Sequence, residues 1–206
     1  MVDALIFDMD GTLVDWAKPI TASWNETFAR YGWNRVIDEN DFRTYAGHTT
    51  AEIGALCFPE LPGEESFRRI AIASEEETAY IASHATWDDT FLPGPAFLKE
   101  LAKKYRLFIV SNCMAGYIDT FFSCYGGREE VEDYLDNRYG KSKWDNIKSI
   151  VEKHGLKSPI YIGDTVMDRE AAKKAGVPFV YAAYGYGKLD GERSIDALSE
   201  ALTKEF

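Results

Sequence analysis

The chain has 206 residues, 46% hydrophobic and 28% charged, which supplies enough apolar material for a packed core and excludes global disorder. Acidic residues outnumber basic ones 34 to 23, and the resulting charge of −11 argues against a nucleic-acid partner, since polyanionic backbones repel such a surface at long range. No apolar run approaches the roughly 20 residues needed to cross a bilayer, so no membrane partner is expected.

The stretch Met1-Val2-Asp3-Ala4 enters an apolar run without a basic lead-in or a small-residue cleavage site, and no secretory signal is expected. The first predicted strand, Ala4-Leu5-Ile6-Phe7, ends at Asp8 and runs into Met9-Asp10-Gly11-Thr12-Leu13. About a hundred residues then precede the next strand, far more than a crossover helix needs. Within this insert Ile20, Trp24, Phe28 and Tyr31 recur at helical spacing, and residues 67–83 carry Ile70, Ala73, Glu77 and Ile81 in register. Pro59-Glu60-Leu61-Pro62-Gly63 reads as the loop between helical parts. The spacing predicts a small helical domain over residues 16–87, after which Leu92-Pro93-Gly94-Pro95 returns the chain to the core.

Residues 96–104 place Phe97, Leu98, Leu101 and Ala102 on one side of a helix, and the second strand, 107–110, ends at Ser111-Asn112. A helix over 144–154 presents Ile147, Ile150 and Val151 on one face and stops at Gly155. The third strand, 160–162, ends at Gly163-Asp164; a helix over 168–175 is closed by Gly176 and Pro178; the fourth strand, 179–182, ends near Gly185. Continuous apolar strands alternating with helices predict an α/β fold, a doubly wound parallel sheet built from residues 1–15 and 88–206. Cys57, Cys113 and Cys124 lack CxxC spacing and paired histidines, and read as free thiols of a cytoplasmic protein.

In an open parallel sheet the ligand site lies beyond the carboxyl ends of the strands. That rule gathers Asp8 with Asp10, Ser111 with Asn112, a lysine from Lys141 or Lys143, and Asp164 with Asp168. The set suits phosphoryl transfer. Asp8 can attack phosphorus; Asp10 can protonate the leaving oxygen and then activate water. Gly11 permits a sharp turn close to the phosphate, and Thr12 can orient Asp10. Ser111 and nearby amides, with Asn112 beside them, offer donors to the phosphoryl oxygens, and a lysine neutralises charge. Asp164 and Asp168 supply hard oxygen ligands for Mg²⁺, without which the clustered carboxylates would repel one another and the substrate. Asp168 also suits the plain role of a helix N-terminal charge. His48, in Gly47-His48-Thr49-Thr50, is expected to be an exposed loop histidine, and Trp16 alone among the tryptophans lies near enough to line the pocket. Gly185-Tyr186-Gly187-Lys188 lacks phosphate-loop spacing and is assigned no role beyond a loop at the site rim.

Asp-x-Asp-Gly-Thr-Leu after the first strand, Ser-Asn after the second, a lysine before a helix, and Gly-Asp-x-x-x-Asp after the third, in that order, resemble the haloacid dehalogenase (HAD) superfamily. A helical insert directly after the first motif resembles the helical cap of its phosphoglycolate phosphatase-like and β-phosphoglucomutase-like members. The resemblance implies Asp8 as a nucleophile that becomes an aspartyl phosphate, Asp10 as general acid/base, and Ser111 and a lysine on the phosphoryl group. It further implies Mg²⁺ held by Asp8, the Asp10 backbone carbonyl and Asp164. Lys143 heads Lys-Trp-Asp-Asn-Ile, similar to a Lys-x-Asp/Glu-x-Ile form of the family, whereas counting back from Gly155 favours Lys141; Lys143 is preferred. Asp10 speaks against a dehalogenase or phosphonate hydrolase, in which that position is typically not aspartate. The expected function is a Mg²⁺-dependent phosphatase for a small phosphorylated metabolite, with a phosphomutase or a non-catalytic phosphometabolite-binding protein as alternatives. Neither the substrate nor the oligomeric state is legible.

Overall fold

The computed structural model describes residues 2–206; residue 1, counted in the expected core segment 1–15, lies outside the described residues. Six parallel strands form one sheet: β1 (Ala4–Phe7), β2 (Arg106–Val110), β3 (Val131–Leu135), β4 (Pro159–Gly163), β5 (Phe179–Ala182) and β6 (Ser194–Ile195). Their spatial order is β3-β2-β1-β4-β5-β6. The chain leaves β1 in one direction, through β2 to β3, then returns to lay β4, β5 and β6 on the other side. The reversal falls between β1 and β4, where such sheets open a crevice at their carboxyl ends. Register carries the site residues to one level, because Phe7 is opposite both Ile109 and Ile162.

All four residues of β1 are buried, since helices cover both faces of the sheet. Leu5 and Phe7 join one core with Leu101, Ile118 and Phe121, while Ala4 and Ile6 join a second with Ile147, Ile150 and Ala172. Each such large side chain contributes on the order of 1.5–3 kcal/mol by leaving water.

Between β1 and β2 the chain forms α1 (Ala17–Arg30), α2 (Glu39–Tyr45), α3 (Thr50–Cys57) and α4 (Gly63–His84), then a 3₁₀ turn at Trp87–Asp89. Periodicity located α1 and α4 but not α2 and α3, whose 7 and 8 residues span about two turns each. Both short helices do carry a capping box, Asp38 with Asp41 and Thr49 with Glu52. The expected loop at 59–63 is shorter, because Gly63 already belongs to α4. Gly54 lets α3 approach α4 closely: a Cβ there would stand 2.8 Å from the Ser66 carbonyl carbon. Trp24, Phe28, Trp33 and Phe58 pack inside the four-helix layer, and their apolar core is continuous with Leu13 and Trp16 beneath it.

The remaining helices are α5 (Phe97–Ala102), α6 (Tyr117–Tyr125), α7 (Lys143–His154) and α8 (Val166–Ala175). β3, β6 and α6 are absent from the sequence-based expectation. In β3 only Val131 is fully buried, so its sequence, Val-Glu-Asp-Tyr-Leu, lacks the apolar run that marks a central strand.

Candidate active site

The Asp8 amide donates to the Ile162 carbonyl at 2.9 Å, extending the β1–β4 ladder to the residue that opens the crevice. The Met9 carbonyl then accepts from the amides of Thr12, Leu13 and Val14, so the chain reverses within one turn. Gly11 sits at φ +76°, and a Cβ there would overlap the Asp164 carboxylate. Left-handed backbone and close approach both demand glycine.

Lys143 is the first residue of α7, whose N-cap Ser142 accepts the Asp145 amide. Its Nζ donates to Asp8 Oδ1 at 2.9 Å and to Asp168 Oδ1 at 2.7 Å, and all three side chains are buried. Burial by itself would release the lysine proton, but the Asp168 and Asp8 charges outweigh it and hold Lys143 above its ordinary pKa, as an ammonium. Lys141, the other candidate, is exposed and makes no hydrogen bond to the site.

Asp168 occupies the N3 position of α8 in a capping box with Thr165. Its Oδ2 accepts from the Thr165 amide (3.0 Å) and hydroxyl (2.6 Å), and its Oδ1 accepts from Lys143, while the Tyr161 hydroxyl, 3.3 Å from Oδ1, has the Val110 carbonyl closer at 2.9 Å. Both oxygens of the carboxylate are thus engaged, by three donors.

Asp164 is fully buried, and its Oδ2 accepts the amides of Tyr186 (2.7 Å) and Gly187 (3.2 Å). Burial, then the charges of Asp168 and Asp8, push its pKa well up against those two amides. The segment 185–187, assigned no role from sequence, is therefore the cradle of Asp164. A Cβ on Gly185 would overlap the Gly11 carbonyl, and one on Gly187 the Asp164 carbonyl. Two glycines so close to a strand end were the legible signal of that approach. Thr12 does not orient Asp10 as expected; its hydroxyl lies 3.5 Å from Asp164 Oδ1, because the turn points it across the crevice toward β4.

Asp8 is raised to about 6 by burial and by Asp168, with Lys143 opposing. Asp10 is raised to about 7, chiefly by burial; the Tyr117 hydroxyl, which donates to Asp10 Oδ1 at 2.5 Å, works in the other direction. Tyr117 was not singled out in the sequence. Trp16 is fully buried and does not line the cavity. Its indole N–H donates to the Tyr125 hydroxyl at 3.0 Å and its ring stands edge-on to Tyr117 at 4.9 Å, so it braces Tyr117.

Ser111 follows β2, its amide donating to the Leu135 carbonyl at 3.1 Å and its Oγ accepting the Cys113 amide at 3.4 Å. The Asn112 side-chain amide donates to the Gly47 carbonyl at 2.8 Å, which ties this strand end to the loop before α3.

Asp8, Asp10, Ser111, Asn112 and Tyr117 line a cavity of about 50 Å³. Asp8, Asp10 and Ser111 form its floor, and Trp24, His48 and Glu77 belong to the helical layer above. His48 is half-buried rather than an exposed loop residue, with Nδ1 3.2 Å from the Tyr45 carbonyl. Its loop folds inward because Asn112 holds the Gly47 carbonyl.

Asp8, Asp164 and Asp168 bring carboxylate oxygens within 4.8 Å of one another. Three buried acids, two of them paired with the Lys143 ammonium, bring hard oxygen donors together in a set that fits a divalent cation such as Mg²⁺. Among the described residues no helix is long and apolar enough to cross a membrane, and Cys57, Cys113 and Cys124 are free thiols.

A family model described as haloacid dehalogenase-like hydrolase matches residues 5–182. The chain is similar to phosphoglycolate phosphatase of Rhodobacter capsulatus, with 27% identity over 98% of this chain and 91% of that protein. In fold it is similar to a predicted phosphoglycolate phosphatase from Haemophilus somnus, at TM-score 0.79 and 19% identity, covering 98% of this chain and 97% of that one. It is also similar to CbbY from Rhodobacter sphaeroides in complex with phosphate, at TM-score 0.75 and 21% identity, covering 97% and 96%.

Proposed function

The chain belongs to the haloacid dehalogenase-like hydrolases and is a phosphatase similar to phosphoglycolate phosphatases; from that premise we propose that it hydrolyses a small phosphorylated metabolite through an aspartyl phosphate on Asp8, with Mg²⁺. One observation carries the reading. Asp8 is buried at the crevice and lines its cavity, with Oδ1 held by Lys143, which fixes the carboxylate where it can attack.

In the first half-reaction an Asp8 oxygen bonds to phosphorus while the ester P–O bond breaks, and Asp10 delivers its proton to the leaving oxygen. In the second, Asp10 takes a proton from water, the water oxygen bonds to phosphorus, and the acyl phosphate breaks to restore Asp8 and release inorganic phosphate. An Asp10 pKa of about 7 suits a group that must give a proton and then accept one. Lys143 offsets the charge gathering on Asp8 and the phosphoryl oxygens, and the Ser111 hydroxyl donates to one of them. Mg²⁺, held by Asp8, the Asp10 carbonyl and Asp164, would neutralise further charge on the transferring group. Asp168, held by Lys143 and by the Thr165 amide and hydroxyl, acts as a positioning residue for Lys143.

We assign residues 16–87 the role of a cap over a core formed by 1–15 and 88–206. The cavity is lined by strand ends below and by the helical layer above, so lifting of that layer would admit substrate and its closure would exclude bulk water. Free thiols and no membrane-length helix among the described residues suit the cytoplasm.

The test is phosphate release from an aryl phosphate by the purified protein. Release is expected with Mg²⁺, without a bisphosphate activator, and to fall more than about a thousandfold in Asp8→Asn. Turnover in excess chelator would sink the metal, wild-type turnover in Asp8→Asn would sink the nucleophile, and dependence on a bisphosphate would make the protein a mutase.

A further inference from the structure

One carboxylate among the residues that line the cavity is left idle by the phosphoryl chemistry. Glu77, on α4, is 5% exposed and lines the cavity from the helical layer. Its Oε2 accepts the Trp24 indole N–H at 2.5 Å, and its Oε1 has no hydrogen-bond partner among the described residues. No lysine or arginine lines the cavity, whereas Asp8, Asp10 and Glu77 give its wall three carboxylates. Lys143 is committed behind the floor to Asp8 and Asp168, and His48 turns Nδ1 to the Tyr45 carbonyl. Cations of the helical layer are engaged elsewhere, Arg30 with Glu76 and Arg68 and Arg69 with Glu65. The surroundings of Glu77 are apolar, with Ile20, Phe42 and Ile53 on the same wall. A carboxylate oxygen on the cavity wall without a protein donor is open to one from a ligand, and such charge-assisted hydrogen bonds are the strong ones.

We infer that Glu77 selects the leaving group of the substrate, accepting a hydrogen bond from an alcohol or amine there and turning away esters whose leaving group ends in a carboxylate. This rests on the phosphatase reading above. A hydroxyl or ammonium donor completes the unpartnered oxygen, while a carboxylate would meet the acidic groups of the wall with no lysine or arginine in the lining to offset them. The chain therefore diverges in specificity from the phosphoglycolate phosphatases it resembles.

Three two-carbon esters of matched size test it: 2-aminoethyl phosphate, 2-hydroxyethyl phosphate and 2-phosphoglycolate, beside an aryl phosphate that reports the chemistry alone. The wild type should show kcat/KM at least about tenfold higher for the amine or the alcohol than for 2-phosphoglycolate. The amine and alcohol arms tell which donor is used. Glu77→Gln should bring the ratio toward unity, with 2-phosphoglycolate gaining, and Glu75→Gln, on the exposed side of α4, should leave it unchanged. Aryl phosphate turnover with 2-phosphoglycolate cleaved as well as the other two overturns the inference and leaves the chemistry standing. An unchanged ratio in Glu77→Gln overturns it as well. Absence of aryl phosphate turnover removes the phosphatase reading and the inference with it.

Discussion

The Tyr117 hydroxyl donates to Asp10 Oδ1 at 2.5 Å from 107 residues further along the chain. Burial favours the protonated form of Asp10, and the phenol favours the carboxylate, so Tyr117 sets how readily Asp10 takes the proton back from water. Tyr117→Phe is expected to lower kcat about tenfold, a fraction of what a whole acid/base group contributes. Steady-state kinetics should show KM changing less than kcat. A change confined to KM would instead make Tyr117 a substrate contact.

Lys143 holds two buried carboxylates together, and its loss leaves them facing each other without a cation. Lys143→Met is expected to destabilise the fold by about 3–5 kcal/mol, as broken buried pairs do, and to remove activity. Lys141→Ala, at an exposed position, should lie within about 0.5 kcal/mol of wild type and keep its turnover. Denaturant titration and phosphate release on the pair would reverse the assignment if the two variants exchanged behaviour.

Gly187→Ala drives a Cβ into the Asp164 carbonyl, displacing an amide that holds the Asp164 carboxylate. A cost of about 1–3 kcal/mol is expected from such overpacking, together with a weaker Mg²⁺ requirement curve, shifted to higher concentration. Gly94→Ala, where an added Cβ meets open space, is the control and should change neither. An unshifted Mg²⁺ titration in Gly187→Ala would separate the 185–187 segment from the metal.

Glu77 gives stability a pH dependence of defined sign. Burial raises its folded pKa well above the ordinary 4.5, with the Trp24 hydrogen bond opposing and the Asp10 charge adding to the rise. Ionising Glu77 therefore costs the folded state stability, and the contribution of the un-ionised form is fully present below about 4.5 and is lost as pH rises toward the folded value. Glu77→Gln retains an acceptor for Trp24 without the charge. Its melting temperature should exceed that of wild type at pH 8, by about 2–4 °C for each kcal/mol gained, and the difference should shrink toward pH 5. Parallel melting curves across that range would show that Glu77 ionises freely in the folded protein.

Four central strands were legible because each is buried on both faces and so must be apolar throughout, as Leu107, Phe108, Ile109 and Val110 are. β3 escaped notice for the converse reason: it pairs only with β2 and carries Glu132 and Asp133 toward solvent. Of the polar groups, those standing at strand ends could be read, since a strand that stops at Asp8, Ser111 or Asp164 fixes where that side chain lies. Tyr117 and the segment 185–187 could not, because their partners are brought to them by the packing of α6 and by the turn after β5. Glu77 lies between: its helical register with Ile70, Ala73 and Ile81 already placed a carboxylate on an apolar face, and only the fold showed which cavity that face closes.

The sequence by itself determined the parallel α/β core, the helical insert and the aspartates at the strand ends, because periodicity and strand termination are local properties of the chain. Tertiary structure alone decided that Lys143 rather than Lys141 reaches Asp8, that Asp168 is spent on Lys143 and Thr165, and that the amides of Tyr186 and Gly187 hold Asp164. Each of those outcomes depends on which buried charges find a partner once water is excluded, and that is settled by contacts between segments far apart in sequence.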